Sequence, residues 1–292
     1  MHKLARQIRF AVNPFAKAAV LGANSYCAKP GADALALYFA LWVELTGPVD
    51  ANTGFVVNVT DIDRIVRAKA VNIFEDFIKG KFALKQQITF EQIGQLLSRV
   101  WSSLEKEFTP AQIIGLSVEI TPARKLGIKE RDGSMLYFSE KFDFAASHTL
   151  WNKKFSDEQN YDTFGKCANR AGHGHNYIIE VTVKNPIRDK ASETPDGRQE
   201  RPVSNGIKAG DFEQIVNEHF ITVVDHKNLN IDVEHFTKVN PTVENIAEFA
   251  FNSLADKFDS VKLDSVTVWE SDRAFCTFRV DEPCHRDGRA NH

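Results

Sequence analysis

The chain carries one pattern twice. Asp61-Ile-Asp-Arg-Ile-Val66 followed by Thr89-Phe-Glu91-Gln-Ile93 returns as Asp211-Phe-Glu-Gln-Ile-Val216 followed by Thr242-Val-Glu244-Asn-Ile246, at offsets of 150 and 153 residues. Such a repeat constrains the fold strongly, because both halves must then build the same supersecondary unit from different side chains. Gly47-Pro48 answers Asn185-Pro186 at an offset of 138, so the second copy gains about twelve residues, and the gain falls in Arg188 to Ser204. That segment is charged, carries Pro and Gly and lacks periodicity, which predicts an extended, solvated hairpin loop. The predicted organisation is a domain over 1–134, a domain over 135–285 and a polar tail over 286–292, with a linker near Thr121 to Ser134.

Periodicity gives the elements. His173 to Val183 and Ser265 to Glu270 alternate apolar with polar residues and predict half-buried strands; Phe142, Phe144, Ala146 and His148 share one face of another. Val243, Ile246, Ala247, Ala250, Leu254 and Phe258 recur at helical spacing, which predicts one long amphipathic helix with Asn240 and Pro241 as its cap and first turn. Phe90, Ile93, Leu97, Val100 and Leu104 repeat that helix in the first half, ahead of a strand around Ile113 to Ile120. Each half then reads β-β-α-α-β-β. The predicted class is α+β, each half an antiparallel four-stranded sheet with two helices laid on one face. The open edges of such sheets favour oligomers.

Composition narrows the partners. A hydrophobic fraction of 43% with 26% charged residues describes a chain able to bury a core in each half without covalent staples. The net charge of -3 argues against nucleic acid or an acidic membrane as the main partner, so any phosphate site must be local. No apolar stretch approaches a membrane span, and Met1 to Gln7 is not followed by a signal-peptide core; a cytoplasmic protein is expected. Cys27, Cys167, Cys276 and Cys284 are too scattered for a disulfide framework, and reduced thiols are expected.

The chemistry concentrates in the second half. His173-Gly-His175 heads an alternating strand, so its two imidazoles project to one face, and His148 ends another strand on its apolar face. Three neutral imidazoles with no fourth protein ligand leave zinc an open position, the arrangement of a catalytic site; closely spaced cysteine pairs, typical of structural zinc, are absent. A His-x-His pair by itself is equally compatible with two strand histidines that bind nothing.

Further residues make the pattern specific: Phe144-Ala-Ala-Ser-His148, Cys167 with five residues before His173-Gly-His175-Asn-Tyr177, Asp225-His226-Lys-Asn-Leu, Pro241-Thr-Val-Glu244-Asn, and Val266-Thr-Val-Trp-Glu270. In this order, over roughly Lys141 to Val280, they resemble the 6-pyruvoyltetrahydropterin synthase and 6-carboxytetrahydropterin synthase family. The resemblance implies a tunnelling fold (T-fold), in which sheets from several subunits close into a barrel with helices outside and active sites at subunit interfaces. It implies 7,8-dihydroneopterin triphosphate as substrate, zinc at His148, His173 and His175, and Cys167 as a base opposed by the Asp225–His226 pair.

Each implied role has a physical counterpart. A free thiol needs nearby positive charge to hold enough thiolate, and a cation at the histidines would supply it. A carboxylate beside an imidazole fixes its tautomer and raises its basicity. Glu270 shares a strand face with Val266 and Val268, so an inward carboxylate there asks for a hydrogen-bonding partner, which the amino group and ring N–H of a pterin offer. Thr242 and Glu244 are substrate-binding candidates that would serve equally well to cap the following helix.

The first half departs from the pattern. Phe10-Ala-Val-Asn-Pro14 has no histidine, Ala34-Leu-Ala-Leu-Tyr38 stands where His-x-His-Asn-Tyr is expected, and Ile120 stands at the offset of Glu270, although Cys27 persists. This half is expected to be a structural partner lacking the metal, giving one zinc per chain. The leading expectation is a zinc-dependent lyase forming a pyruvoyl or a carboxy product, the two left open. The alternative is a non-catalytic T-fold protein that binds a pterin or purine.

Overall fold

The computed structural model describes residues 1–16, 35–129, 135–187 and 206–280. Cys27, Ala34, Cys284, His285, the 286–292 tail and most of the 186–206 loop lie outside these residues. The fold is α+β with antiparallel sheet. The contacts divide it into two units: the described residues of Met1–Glu140, Val183–Ala209 and Asp259–Val261 form one, and those of Lys141–Thr182, Gly210–Phe258 and Lys262–His292 the other.

In the first unit, β1 (His2–Val12), β2 (Leu37–Gly47), β3 (Gln112–Glu119), β4 (Arg124–Lys129) and the start of β5 (Met135–His148) pair antiparallel in that order. The register aligns Ile8, Leu41, Val118, Leu126 and Phe138 across all five strands, and all are fully buried. This row is the alternation of the sequence turned into a core, because period 2 sends every second side chain to one face. Three helices accompany the sheet: α1 (Val59–Val66) runs through a π turn (Arg67–Val71) into α2 (Asn72–Ala83), and α3 (Phe90–Leu104) follows. Thr89 caps α3 in a capping box with Gln92. Arg6 holds the buried Asp63 of α1 at 2.9 Å. The stretch expected to be a linker, Thr121 to Ser134, contains β4. Only Leu126 and Ile128 face the core there, too short an alternation to stand out beside Pro122.

In the second unit, the rest of β5 lies in the hydrogen-bonded order β5, β6 (His173–Pro186, as far as Thr182 in this unit), β8 (Lys262–Ser271), β9 (Ala274–Phe278). A two-residue strand, β7 (Lys227–Asn228), runs parallel to β5 at Ala146 and Ser147. α4 (Asp157–Phe164) precedes a 3-10 turn (Gly165–Ala168); α5 (Ala209–Val216) passes through a π turn (Asn217–Ile221) into α6 (Thr222–Val224). The short α7 (Leu229–Asp232), a 3-10 turn (Glu234–Thr237) and the long α8 (Val243–Leu254) follow. The two π turns begin at Arg67 and Asn217, 150 residues apart, which is the offset of the sequence repeat. Phe144 stacks on Tyr177 and meets Phe220 edge-on, packing helix against sheet beside the histidines.

The cap of α8 differs from the expectation. Its N-cap is Thr242, whose side chain accepts the Asn245 N–H; the helix ends at Leu254, short of Phe258. The Asn240 side chain accepts the Trp151 N–H instead. Pro241 attracts a first-turn assignment because its φ suits it, but here its carbonyl is used by His148.

Candidate metal centre

The centre begins with the end of β5. Alternation turns Phe144, Ala146 and His148 inward, and His148 is 1% exposed. Its Nδ1 lies 2.7 Å from the Pro241 carbonyl oxygen. A carbonyl only accepts, so Nδ1 carries the proton and Nε2 presents its lone pair. That Nε2 stands 3.1 Å from His173 Nε2. One ligand atom from each of His148, His173 and His175 fits within 4.8 Å of the others.

Gly172 makes this approach possible. Its φ of +77° belongs to the left-handed region, and a Cβ there would meet the His148 carbonyl oxygen at 3.2 Å. The segment bringing β6 back from Cys167 therefore passes directly against the end of β5.

These residues fit a cation. His173 Nδ1 and His175 Nε2 are buried with no hydrogen-bond partner among the described residues, a costly state that a divalent ion beside them would relieve for the nitrogen it binds. Burial holds His148 and His173 below the ordinary imidazole value, with the neighbouring imidazoles acting in the same direction. Rings that stay neutral are the ligand form. Among the described residues this is the only cluster of three or more such groups able to hold a metal.

Glu270 reaches the same place. Its Oε1 lies 3.5 Å from His148 Nε2 and 3.4 Å from His175 Nε2, so the inward carboxylate borders the imidazoles. Cys167 sits in the 3-10 turn after α4, half-buried, its carbonyl accepting the Leu150 N–H. Burial, then the Glu270 charge, push its thiol up. The side chains alone thus keep the thiol protonated near neutral pH, and a cation at the imidazoles would act in the opposite direction.

Asp225 and His226 are paired with each other. Asp225 Oδ2 lies 2.9 Å from His226 Nδ1, while Oδ1 accepts the Ala145 N–H at 2.9 Å. These two hydrogen bonds, the backbone one first, hold the Asp225 carboxyl below the usual carboxylate range. His226 has φ +56° and its side chain is 82% exposed. It lines a shallow cleft with His175, yet among the described residues no hydrogen bond or ring contact joins it to Cys167 or the three imidazoles. Thr242 caps α8, and Glu244 is exposed in the first helical turn.

Tyr177 was given no role by the sequence. It is fully buried, edge-on to His148 and His175, and its hydroxyl has no hydrogen-bond partner among the described residues. The signal was the strand period itself, which puts Tyr177 on the face of His173 and His175.

The family model for 6-pyruvoyl tetrahydropterin synthase matches residues 137–281. The human protein named 6-pyruvoyl tetrahydrobiopterin synthase is 35% identical over 141 residues, covering 48% of this chain and 89% of that one. The chain belongs to the 6-pyruvoyl tetrahydropterin synthase family. Another family member, the 6-pyruvoyl tetrahydrobiopterin synthase of Dictyostelium discoideum, is 30% identical over 138 residues, 47% of this chain and 90% of that protein. The solved 6-pyruvoyl tetrahydropterin synthase of Caenorhabditis elegans shares 30% identity, covering 50% of this chain and 96% of that chain with a TM-score of 0.42. The family match covers β5 from Tyr137 onward and every candidate site residue. No helix among the described residues is long and apolar enough to cross a membrane.

Proposed function

We propose that the second half is a zinc-dependent lyase of the tetrahydropterin synthase type, acting on 7,8-dihydroneopterin triphosphate. The observation that carries this reading is the convergence of His148, His173 and His175, two of them with orphaned buried nitrogens, beside Cys167 and Glu270. When bound, zinc acts as a Lewis acid toward the side-chain hydroxyls of the substrate and lowers the cost of removing the adjacent proton.

The chain's own residues do the rest. Glu270 accepts hydrogen bonds from the amino group and ring N–H of the pterin and fixes its side chain toward the imidazoles. Cys167 Sγ takes the proton from the side-chain carbon, and triphosphate departs with the bonding pair of its C–O bond. His226, its Nδ1 held by Asp225, returns a proton through Nε2. Because His226 is exposed on the chain's surface and no hydrogen bond among the described residues ties it to Cys167, we place the complete site between chains, with His226 supplied by a neighbouring copy in a homo-oligomer. The first half, over 1–134, serves as a T-fold partner domain without metal.

The test is incubation of the zinc-loaded protein with dihydroneopterin triphosphate, assayed for inorganic triphosphate and for product mass. Release of triphosphate supports the lyase, and the mass distinguishes a pyruvoyl from a carboxy product. Tight pterin binding without turnover would instead establish the non-catalytic alternative.

A further inference from the structure

A second feature of the second unit lies beside the histidines and outside their roles. A cleft of about 990 Å³ is walled by Thr149, Lys153, Lys154, Arg170 and Lys238, among others. Its volume is that of a cavity able to take a small-molecule ligand. Four cationic side chains line it and no Asp or Glu does, although the chain as a whole has a net charge of -3. Positive charge is concentrated here against the overall balance, which focuses the field on anions.

The wall is built rather than accidental. Asn230 donates to the Thr149 carbonyl at 2.9 Å and accepts the Thr149 N–H at 2.8 Å. Asn240 accepts the Trp151 N–H, and the fully buried Asn160 accepts the Asn152 N–H at 2.7 Å while donating to the Asn152 carbonyl. Three asparagines thus clamp the backbone of 149–152 and present the next two residues, Lys153 and Lys154, both exposed. Neither lysine makes an ion pair among the described residues. Arg170 lies over the Trp151 ring at 4.6 Å, which orients its guanidinium. Its pairing with Asp157, and that of Lys238 with Glu234 at 3.7 Å, are between exposed groups. Exposed pairs are weak and exchange readily for a more highly charged anion.

The cleft adjoins the metal centre through the chain itself. Thr149 follows His148, and Arg170 lies three residues from both Cys167 and His173. We propose that this cleft binds the phosphate chain of the substrate, holding the leaving group while the pterin side chain lies against the imidazoles. The proposal rests on the pterin-lyase reading for the identity of the ligand, and on the cation arrangement for its class, a polyphosphate.

The probe is inorganic triphosphate, titrated calorimetrically into the zinc-loaded full chain at low and high salt. Binding is expected to weaken with salt, and the triple variant Lys153→Ala/Lys154→Ala/Lys238→Ala is expected to lose about tenfold or more in affinity. The same variant should keep its zinc, keep its affinity for dephosphorylated dihydroneopterin, and raise KM for the triphosphorylated substrate more than it lowers kcat. Unchanged triphosphate affinity in the variant overturns the cleft assignment, whatever the turnover. Triphosphate binding that the variant loses, in a wild-type chain that does not turn over dihydroneopterin triphosphate, upholds the polyphosphate cleft and overturns the lyase reading alone.

Discussion

The His148 imidazole is locked by Pro241: Nδ1 sits 2.7 Å from that carbonyl oxygen, in a side chain that is 1% exposed. The proline preceding α8 therefore sets which nitrogen of a β5 residue faces His173. A partner of this kind fixes tautomer and ring orientation together, and losing one commonly costs about 10- to 100-fold in metal affinity.

Metal content follows from the cluster. Purified chain is expected to hold one zinc, and His148→Ala or His175→Ala to hold much less than one at equal protein concentration. Chelation of the wild type should lower its melting temperature, since an ion bound only by the folded state stabilises it by mass action. Elemental analysis finding two zinc per chain would contradict the metal-free first half.

Replacing Cys167 separates chemistry from folding. Cys167→Ala is expected to lower kcat by about 10²- to 10⁴-fold, the usual range for a positioned acid or base. Its half-buried turn position predicts a small stability change, about 0.5 kcal/mol. Full activity in this variant sinks the base assignment.

Acid should destabilise the metal-free chain before it touches the carboxylates. His148 and His173 titrate below the ordinary value of 6.5 in the folded chain, so on acidification the unfolded state takes up protons first. The stability contributed by the neutral rings is complete above 6.5 and is lost as pH falls through the depressed folded values. Urea midpoints measured from about pH 8 down to about pH 5 should fall, and fall less in His148→Asn/His173→Asn. A midpoint that rises on acidification in this window refutes the sign.

Tyr177→Phe removes a buried hydroxyl that has no partner among the described residues. Deleting an orphan donor is neutral to stabilising, by up to about 1 kcal/mol, whereas deleting a bonded one is not. A loss of more than that in denaturant unfolding would reveal an unrecognised partner for the phenol.

Asn160→Ala is expected to behave oppositely. Asn160 is fully buried and bonds the backbone at Asn152, Phe155 and Ser156. Truncation leaves several buried groups unpaired and should cost about 2–4 kcal/mol, seen as a lower unfolding midpoint. A change within experimental error shows that the clamp is dispensable.

The histidine cluster was legible because a strand's period is short and strict: His173 and His175 had to share a face, and His148 had to share one with Phe144. The apolar stripes of α3 and α8 were legible for the same kind of reason. α4 was not, since its one buried residue is Asn160 and a helix anchored by an amide leaves no apolar periodicity. The capping box of Ser156 with Gln159 was its only local mark. β7 owes its existence to His226 and Asp225 bonding Ala145, a contact between residues about 80 positions apart that no local pattern records.

The two glycines flanking His173 are not interchangeable letters of one motif. Gly174 has an ordinary backbone angle, and a methyl group there would touch the Ala146 carbonyl oxygen at 3.4 Å, which is normal packing. Gly172 combines a backbone angle hostile to side chains with a closer neighbour in His148. Sequence drift can thus pass through position 174 with little harm, while position 172 is closed to it. A descendant that keeps all three imidazoles yet loses that one glycine would have the right ligands and no way to gather them.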